Sequence, residues 1–184
     1  MSADSLSERF LAFSSTVTAF TVYDLHGSGQ AESYLATVVR VVGEHALVEL
    51  LDAYDRAASL EAEVFSDAKL GPIARNIIKL WYAGVWYGLP PEWNDAFGAR
   101  ENDGIFTASA GAYPEGLLWR AIGANPPGAR APGYGSWQYA PVIPPIPGEE
   151  ALAAIRATAI AALPQQRESQ QRESQATDVK ESAR

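Results

Sequence analysis

Residues 71–87 read GPIARNIIKLWYAGVWY, and this stretch decides the fold of the 184-residue chain. The opening glycine and proline are a helix start signal, because proline suits the first position of a helix. Apolar side chains then recur at steps of three and four, at Ile73, Ile77, Leu80 and Trp81. The pattern predicts a helix that is apolar over most of its girth and ends near Gly88. Such a helix belongs at the centre of a bundle.

Further helices are predicted on both sides of this central one. Apolar residues at helical spacing favour helices over residues 6–20, over 31–42, and from Gly43 to about residue 54. Pro114 opens another helix, which Gly123 ends. We therefore expect a mainly α fold, a small orthogonal helical bundle.

The remaining segments carry different signals. Residues 92–112 predict a loop with a short extended piece at 105–107. Residues 125–148 hold seven prolines and cannot be helical, so we expect an irregular strap, rich in glycine and proline, over 124–148. Glu149 begins a last amphipathic helix. The prediction is one domain over 1–163 that includes the strap, followed by a disordered polar tail over 164–184.

Composition excludes several function classes. The chain has no cysteine and two histidines, which excludes thiolate zinc sites, iron–sulfur clusters and multi-histidine metal centres. The formal net charge of −8 argues against nucleic-acid binding, because phosphates require a basic surface. No apolar stretch is long enough for a membrane-spanning helix, and the first 20 residues lack a secretory pattern, so we expect no membrane insertion and no export signal.

Short motifs give no catalytic set. His45 and Glu49 lie four residues apart, but two ligands do not make a metal site, and a surface pair is the better interpretation. Ser109 lacks the glycines of a nucleophile elbow. Glu101 and Asp103 fall in a polar loop, where solvation is the expected fate. We expect a chain that is not catalytic by itself and holds no cofactor or metal.

The aromatic residues point to a partner. All five tryptophans lie within residues 81–137. Helical spacing places Trp81 on one side of the central helix and Trp86 on another, and a small domain seldom hides both sides. One interpretation is that this is simply the core helix. The other is that one stripe faces a second protein, because tryptophan and tyrosine are common interface anchors.

Three blocks of sequence resemble a known family. They are Leu80 to Trp86, Ala110 to Arg130, and Pro132 to Trp137, in that order along the chain. They are similar to the small (gamma) subunits of bacterial FAD-dependent sugar and polyol dehydrogenases, of the sorbitol, fructose and glucose dehydrogenase type. The similarity spans about residues 8–140.

The resemblance implies a companion role without catalysis. In that family a separate large subunit carries FAD and oxidises the sugar, a cytochrome c subunit often passes electrons on, and the small subunit binds the large one and helps it mature. The implied complex is periplasmic or faces the periplasm from the membrane. Since no twin-arginine segment precedes the first predicted helix, assembly in the cytoplasm stays open.

The aromatic residues and the glycines between them are our predicted partner-binding set. Its members are Trp81, Trp86, Tyr113, Trp119, Gly133, Tyr134, Gly135 and Trp137. A free-standing carbohydrate-binding module, in which exposed aromatic rings stack on sugar rings, is the alternative.

Overall fold

The structure is a computed structural model that describes residues 3–98, 103–129 and 148–157. Its elements are, in chain order, α1 (Ala3–Thr18), α2 (Val22–Gly27), α3 (Ala31–Val42), α4 (Glu44–Arg56), a π-helix (Glu61–Phe65), α5 (Leu70–Ala83), β1 (Val85–Trp86), α6 (Pro91–Phe97), β2 (Phe106–Thr107), α7 (Ala112–Glu115) and α8 (Leu117–Ala121). Residues 149–157 are also helical. The mainly α prediction is confirmed, and the architecture is a small helical bundle. Within the described residues, no helix combines the length and apolar character needed to cross a bilayer.

Helix α5 occupies the centre of the bundle, as the sequence predicts. It packs against α1, α3 and α4, and its apolar side chains are buried. The rings of Tyr34 and Trp81 meet edge to face with centroids 4.8 Å apart, and Phe10 stacks on Trp81 from α1 at 6.3 Å. Aromatic pairs of this kind add stability beyond the area they bury.

The end of α5 differs from the prediction. The helix stops at Ala83, because Gly84 adopts the left-handed conformation with φ of 71° and caps it. The chain then turns into β1, which pairs antiparallel with β2 so that Trp86 lies opposite Phe106. Trp86 is therefore on a strand and not on a helical stripe. The extended piece predicted at 105–107 is confirmed in β2.

Three short helical elements of the described chain were not predicted: α2, the π-helix and α6. Helix α2 begins after Thr21, whose side chain and that of Asp24 form a reciprocal capping box. The first predicted helix accordingly ends at Thr18, ahead of this cap. Helix α6 lies in the stretch expected to be a loop, and Pro91 occupies its first turn.

The C-terminal half is more broken than predicted. The helix expected from Pro114 to Gly123 is divided at Gly116, whose extended backbone separates α7 from α8. Most of the predicted strap, residues 130–147, and the tail over 164–184 lie outside the described residues.

Candidate functional site

Two predicted partner-binding residues belong to the core. The side chains of Trp81 and Trp86 are 1% and 0% exposed. The prediction that they face a partner is corrected on this point: the folded chain encloses both indoles, so neither is available for docking. Trp81 lies on α5 against Phe10 and Tyr34, and Trp86 follows the turn at Gly84, where its indole Nε1 donates to Asp103 Oδ1 at 3.1 Å.

Asp103 is the residue that the sequence interpretation missed. Its carboxylate accepts hydrogen bonds from the Leu89 amide at 3.0 Å and the Asn94 side-chain amide at 3.1 Å, besides the Trp86 indole. The expectation of a solvated loop carboxylate is therefore wrong for this residue. Asp103 ties α6 and the turn before it to the β1–β2 pair. The signal in the sequence was the need of the Trp86 indole and of backbone amides for hydrogen-bond acceptors. The sequence does not show which carboxylate accepts from them.

Close backbone contacts hold the segment 112–122 on the end of α5. A Cβ atom built on Gly84 would lie 2.6 Å from the carbonyl oxygen of Ala112, and one on Gly116 would lie 2.7 Å from that of Tyr82. Only glycine allows such an approach at these two positions. The segment is thus fixed against the bundle by its backbone.

This segment presents an aromatic and apolar surface, which we call the 113–122 face. Tyr113, Leu118 and Ile122 are 43%, 40% and 39% exposed, and Trp119 is half-buried among them. Leu118 and Ile122 lie on one side of a helical turn, since the Ile122 amide donates to the Leu118 carbonyl at 3.0 Å. The face therefore groups two of the predicted partner-binding residues with two aliphatic ones that were not predicted.

Hydrogen bonds fix the two rings of the face. The Trp119 indole Nε1 donates to the Tyr113 carbonyl oxygen at 2.7 Å, and the two rings meet edge to face with centroids 5.4 Å apart. The Tyr113 hydroxyl donates to the Pro127 carbonyl at 3.3 Å. Because both polar ends are bonded within the chain, the outward parts of the rings are mainly apolar.

A cleft of about 210 Å³ borders the face beside Trp119. Polar side chains around it are Glu115, Arg120 and Asn125. Arg120 forms an ion pair with Asp24 at 3.3 Å, and both side chains are partly exposed. Such exposed pairs contribute little to stability, so Arg120 and Asp24 can each leave this ion pair to bind another partner.

One residue of the core, Tyr34, interacts electrostatically with Glu115 of this cleft. Burial raises the pKa of the Tyr34 phenol above its ordinary value, and the neighbouring Glu115 carboxylate raises it further. Burial also raises the pKa of Tyr54 and of Tyr82. All three phenols therefore stay neutral at physiological pH. Tyr54 bonds to Thr16 and Tyr82 donates to the Thr18 carbonyl, so these two act as hydrogen-bonding groups rather than as bases.

Comparison with protein-family models, curated proteins and solved structures gives no match for this chain.

The remaining predicted site residues fall into two groups. Gly133, Tyr134, Gly135 and Trp137 lie outside the described residues, so their placement stays a prediction.

The second group comprises the residues that were considered for metal binding or catalysis. Among the described residues, no three His, Cys, Asp or Glu side chains are grouped to hold a metal. Glu49 forms an ion pair with Lys69 and Ser109 bonds to Gln30, which gives each a structural partner.

Proposed function

We propose that this chain is a non-catalytic small subunit and chaperone of a flavin-dependent sugar or polyol dehydrogenase. It binds the FAD-carrying large subunit and helps that subunit mature. The chain itself holds no cofactor, and it meets a cytochrome c subunit through the large subunit. The complex works in the periplasm or on the periplasmic side of a membrane.

The observation that carries the proposal is the 113–122 face. A folded surface with three large apolar side chains about two-fifths exposed within ten residues is a candidate docking site, because interface cores are enriched in tyrosine, tryptophan and aliphatic groups. The close contacts at Gly84 and Gly116 hold this surface rigid before binding, which lowers the entropic cost of association.

The sequence resemblance supplies the identity of the partner. The 113–122 face lies inside its longest block, Ala110 to Arg130, and this block also holds Gly116. A companion subunit needs a rigid apolar surface rather than an acid–base set, which agrees with the side chains this segment offers. The sugar itself is chosen by the large subunit.

The direct test is expression of a flavoprotein large subunit of the sugar or polyol dehydrogenase type, from the same source as this chain, with and without this chain. We expect soluble, FAD-loaded large subunit that reduces an artificial electron acceptor with sorbitol, fructose or glucose only when both chains are present. The proposal fails if the large subunit folds, binds FAD and oxidises sugar equally well alone.

Point variants locate the contact. Leu118→Asp and Ile122→Asp place a charge on the face without touching the core, and should prevent co-purification while the variant chain stays folded by circular dichroism. Ile105→Asp is the matched control, because Ile105 is 74% exposed and lies outside the face. Equal loss of binding in all three variants would show that the face is not the contact.

The cleft beside Trp119 favours a second candidate, a carbohydrate-binding module. An aromatic ring flanked by Glu115, Arg120 and Asn125 has the donors and acceptors that sugar hydroxyls require. This function predicts that sorbitol or glucose quenches the tryptophan fluorescence of the isolated chain and that Trp119→Phe removes the effect. If neither sugar changes the tryptophan fluorescence, the carbohydrate-binding function is refuted and the companion role is the one that remains.

A further inference from the structure

A second cavity, of about 520 Å³, lies where α1, the end of α4, the π-helix and the segment 149–157 meet. Its volume falls in the range of about 300–1,000 Å³ that is typical of small-molecule sites. It shares no lining residue with the cleft beside Trp119. Inferences about it are therefore independent of the proposed function.

Part of the wall of this cavity is apolar. Val17, Leu60 and Phe65 line it, and each is half-buried, so part of each side chain faces the open space. Phe65 ends the π-helix that Glu61 begins. A π turn spans more than four residues, which brings these two side chains to the same side, and π-helical turns are frequent at functional sites.

Two buried hydroxyl groups lie on the inner side. Thr16 Oγ1 and the Tyr54 hydroxyl are 2.8 Å apart, and both approach the Ala12 carbonyl, at 3.1 and 3.4 Å. One hydroxyl proton goes to that carbonyl and the other to the neighbouring hydroxyl oxygen. Both hydroxyl protons are therefore used within the chain. The oxygen lone pairs that remain can only accept hydrogen bonds, so a ligand at these oxygens has to be the donor.

Opposite charges lie on the solvent side. Glu61 and Arg156 both line the cavity and both are exposed. A carboxylate accepts from an ammonium group, whereas a guanidinium donates two parallel hydrogen bonds to a carboxylate. A ligand with only a carboxylate would meet repulsion from Glu61, and one with only an amine would meet repulsion from Arg156. A polyol has no hydrocarbon part to pack on the side chains of Val17, Leu60 and Phe65.

We propose that this cavity binds an apolar zwitterion, either a free apolar amino acid or a short apolar peptide with free termini. The ammonium group binds Glu61, the carboxylate binds Arg156, and the hydrocarbon part packs on Val17, Leu60 and Phe65.

The test is a nuclear magnetic resonance titration of the full ¹⁵N-labelled chain. L-leucine, L-phenylalanine and leucyl-leucine should shift the amide signals of residues 16–17, 54–61 and 65. N-acetyl-leucine and leucine amide should bind about tenfold more weakly or worse, because each lacks one charged hydrogen-bonding group. The ratio of affinities for leucine and leucyl-leucine tells an amino acid from a peptide terminus.

Two charge-removing variants complete the test. Glu61→Gln and Arg156→Gln should each weaken leucine binding about tenfold. Glu92→Gln and Arg56→Gln are matched controls, since both residues are exposed and neither lines the cavity. The proposal is overturned if no zwitterion shifts these signals at tens of millimolar, if sorbitol or N-acetyl-leucine binds as well as leucine, or if both variants bind like the parent.

Discussion

Replacing Gly84 with alanine tests the contact that fixes the 113–122 face. Gly84 has φ of 71°, and an added Cβ would lie 2.6 Å from the Ala112 carbonyl oxygen and 2.7 Å from the Ala112 Cβ. A left-handed non-glycine residue costs about 1–2 kcal/mol. Overpacking against backbone adds about 1–3 kcal/mol. We therefore expect Gly84→Ala to lower the free energy of unfolding by about 2–5 kcal/mol.

Gly29→Ala separates the two contributions. Gly29 has nearly the same φ, 67°, but an added Cβ there meets nothing within 4 Å. This control should lose only the conformational part, about 1–2 kcal/mol. Urea unfolding followed by circular dichroism gives both values. A domain of this size loses about 2–4 °C of Tm per kcal/mol, so thermal scans should separate the variants as well. If the two substitutions cost the same, the close approach of Gly84 to Ala112 does not exist in solution.

Three further predictions concern polar groups of the core. Tyr34→Phe should leave the free energy of unfolding unchanged or raise it by about 1 kcal/mol, because the buried Tyr34 hydroxyl has no hydrogen-bond partner among the residues that the structure describes. Tyr54→Phe should lower it by about 1 kcal/mol by breaking the bond to Thr16, and a denaturant titration in which Tyr34→Phe is the costlier change contradicts this. Above the ordinary tyrosine pKa of 10.0, the unfolded chain releases phenol protons that Tyr34 and Tyr54 retain in the folded chain. The free energy of unfolding should therefore fall with rising pH, by up to about 1.4 kcal/mol per pH unit for each tyrosine. Either phenylalanine variant should flatten this slope when it is measured between pH 9 and 12. Asp103→Ala should cost about 2–4 kcal/mol by leaving the Trp86 and Leu89 donors unpaired, while Asp95→Ala, on the exposed side of α6, should unfold at the parent's urea concentration.

The helices that the sequence predicts well are those with long apolar periodicity. Helix α5 follows its pattern from Leu70 onward, and α3 matches its predicted bounds of 31–42. In both cases a continuous apolar stripe meets the core, so local pattern and tertiary burial agree. Their start signals and stripes are properties of a dozen consecutive residues, which sequence displays directly.

The parts that sequence does not predict depend on single residues read in their tertiary setting. Gly84 looks like one more position on the side of α5, and only its left-handed backbone in the folded chain shows that it ends the helix. The sequence pattern therefore places Trp86 on a side of a helix, where a core position and a stripe that faces a partner both stay open. Asp103 looks like any loop carboxylate until the Trp86 indole is found beside it. The identity of such partners is a long-range property that no local pattern contains.

The candidate site follows from the same two features. Because α5 ends at Gly84, Trp86 is buried and Ala112 can approach the Gly84 backbone. Gly116 approaches the backbone of Tyr82 in the same way. The aromatic residues of the 113–122 face are consequently held by backbone contacts rather than by burial of their own rings. Folding therefore does not consume Tyr113, Leu118 and Ile122, and their exposed area remains available for the association that the proposed function requires.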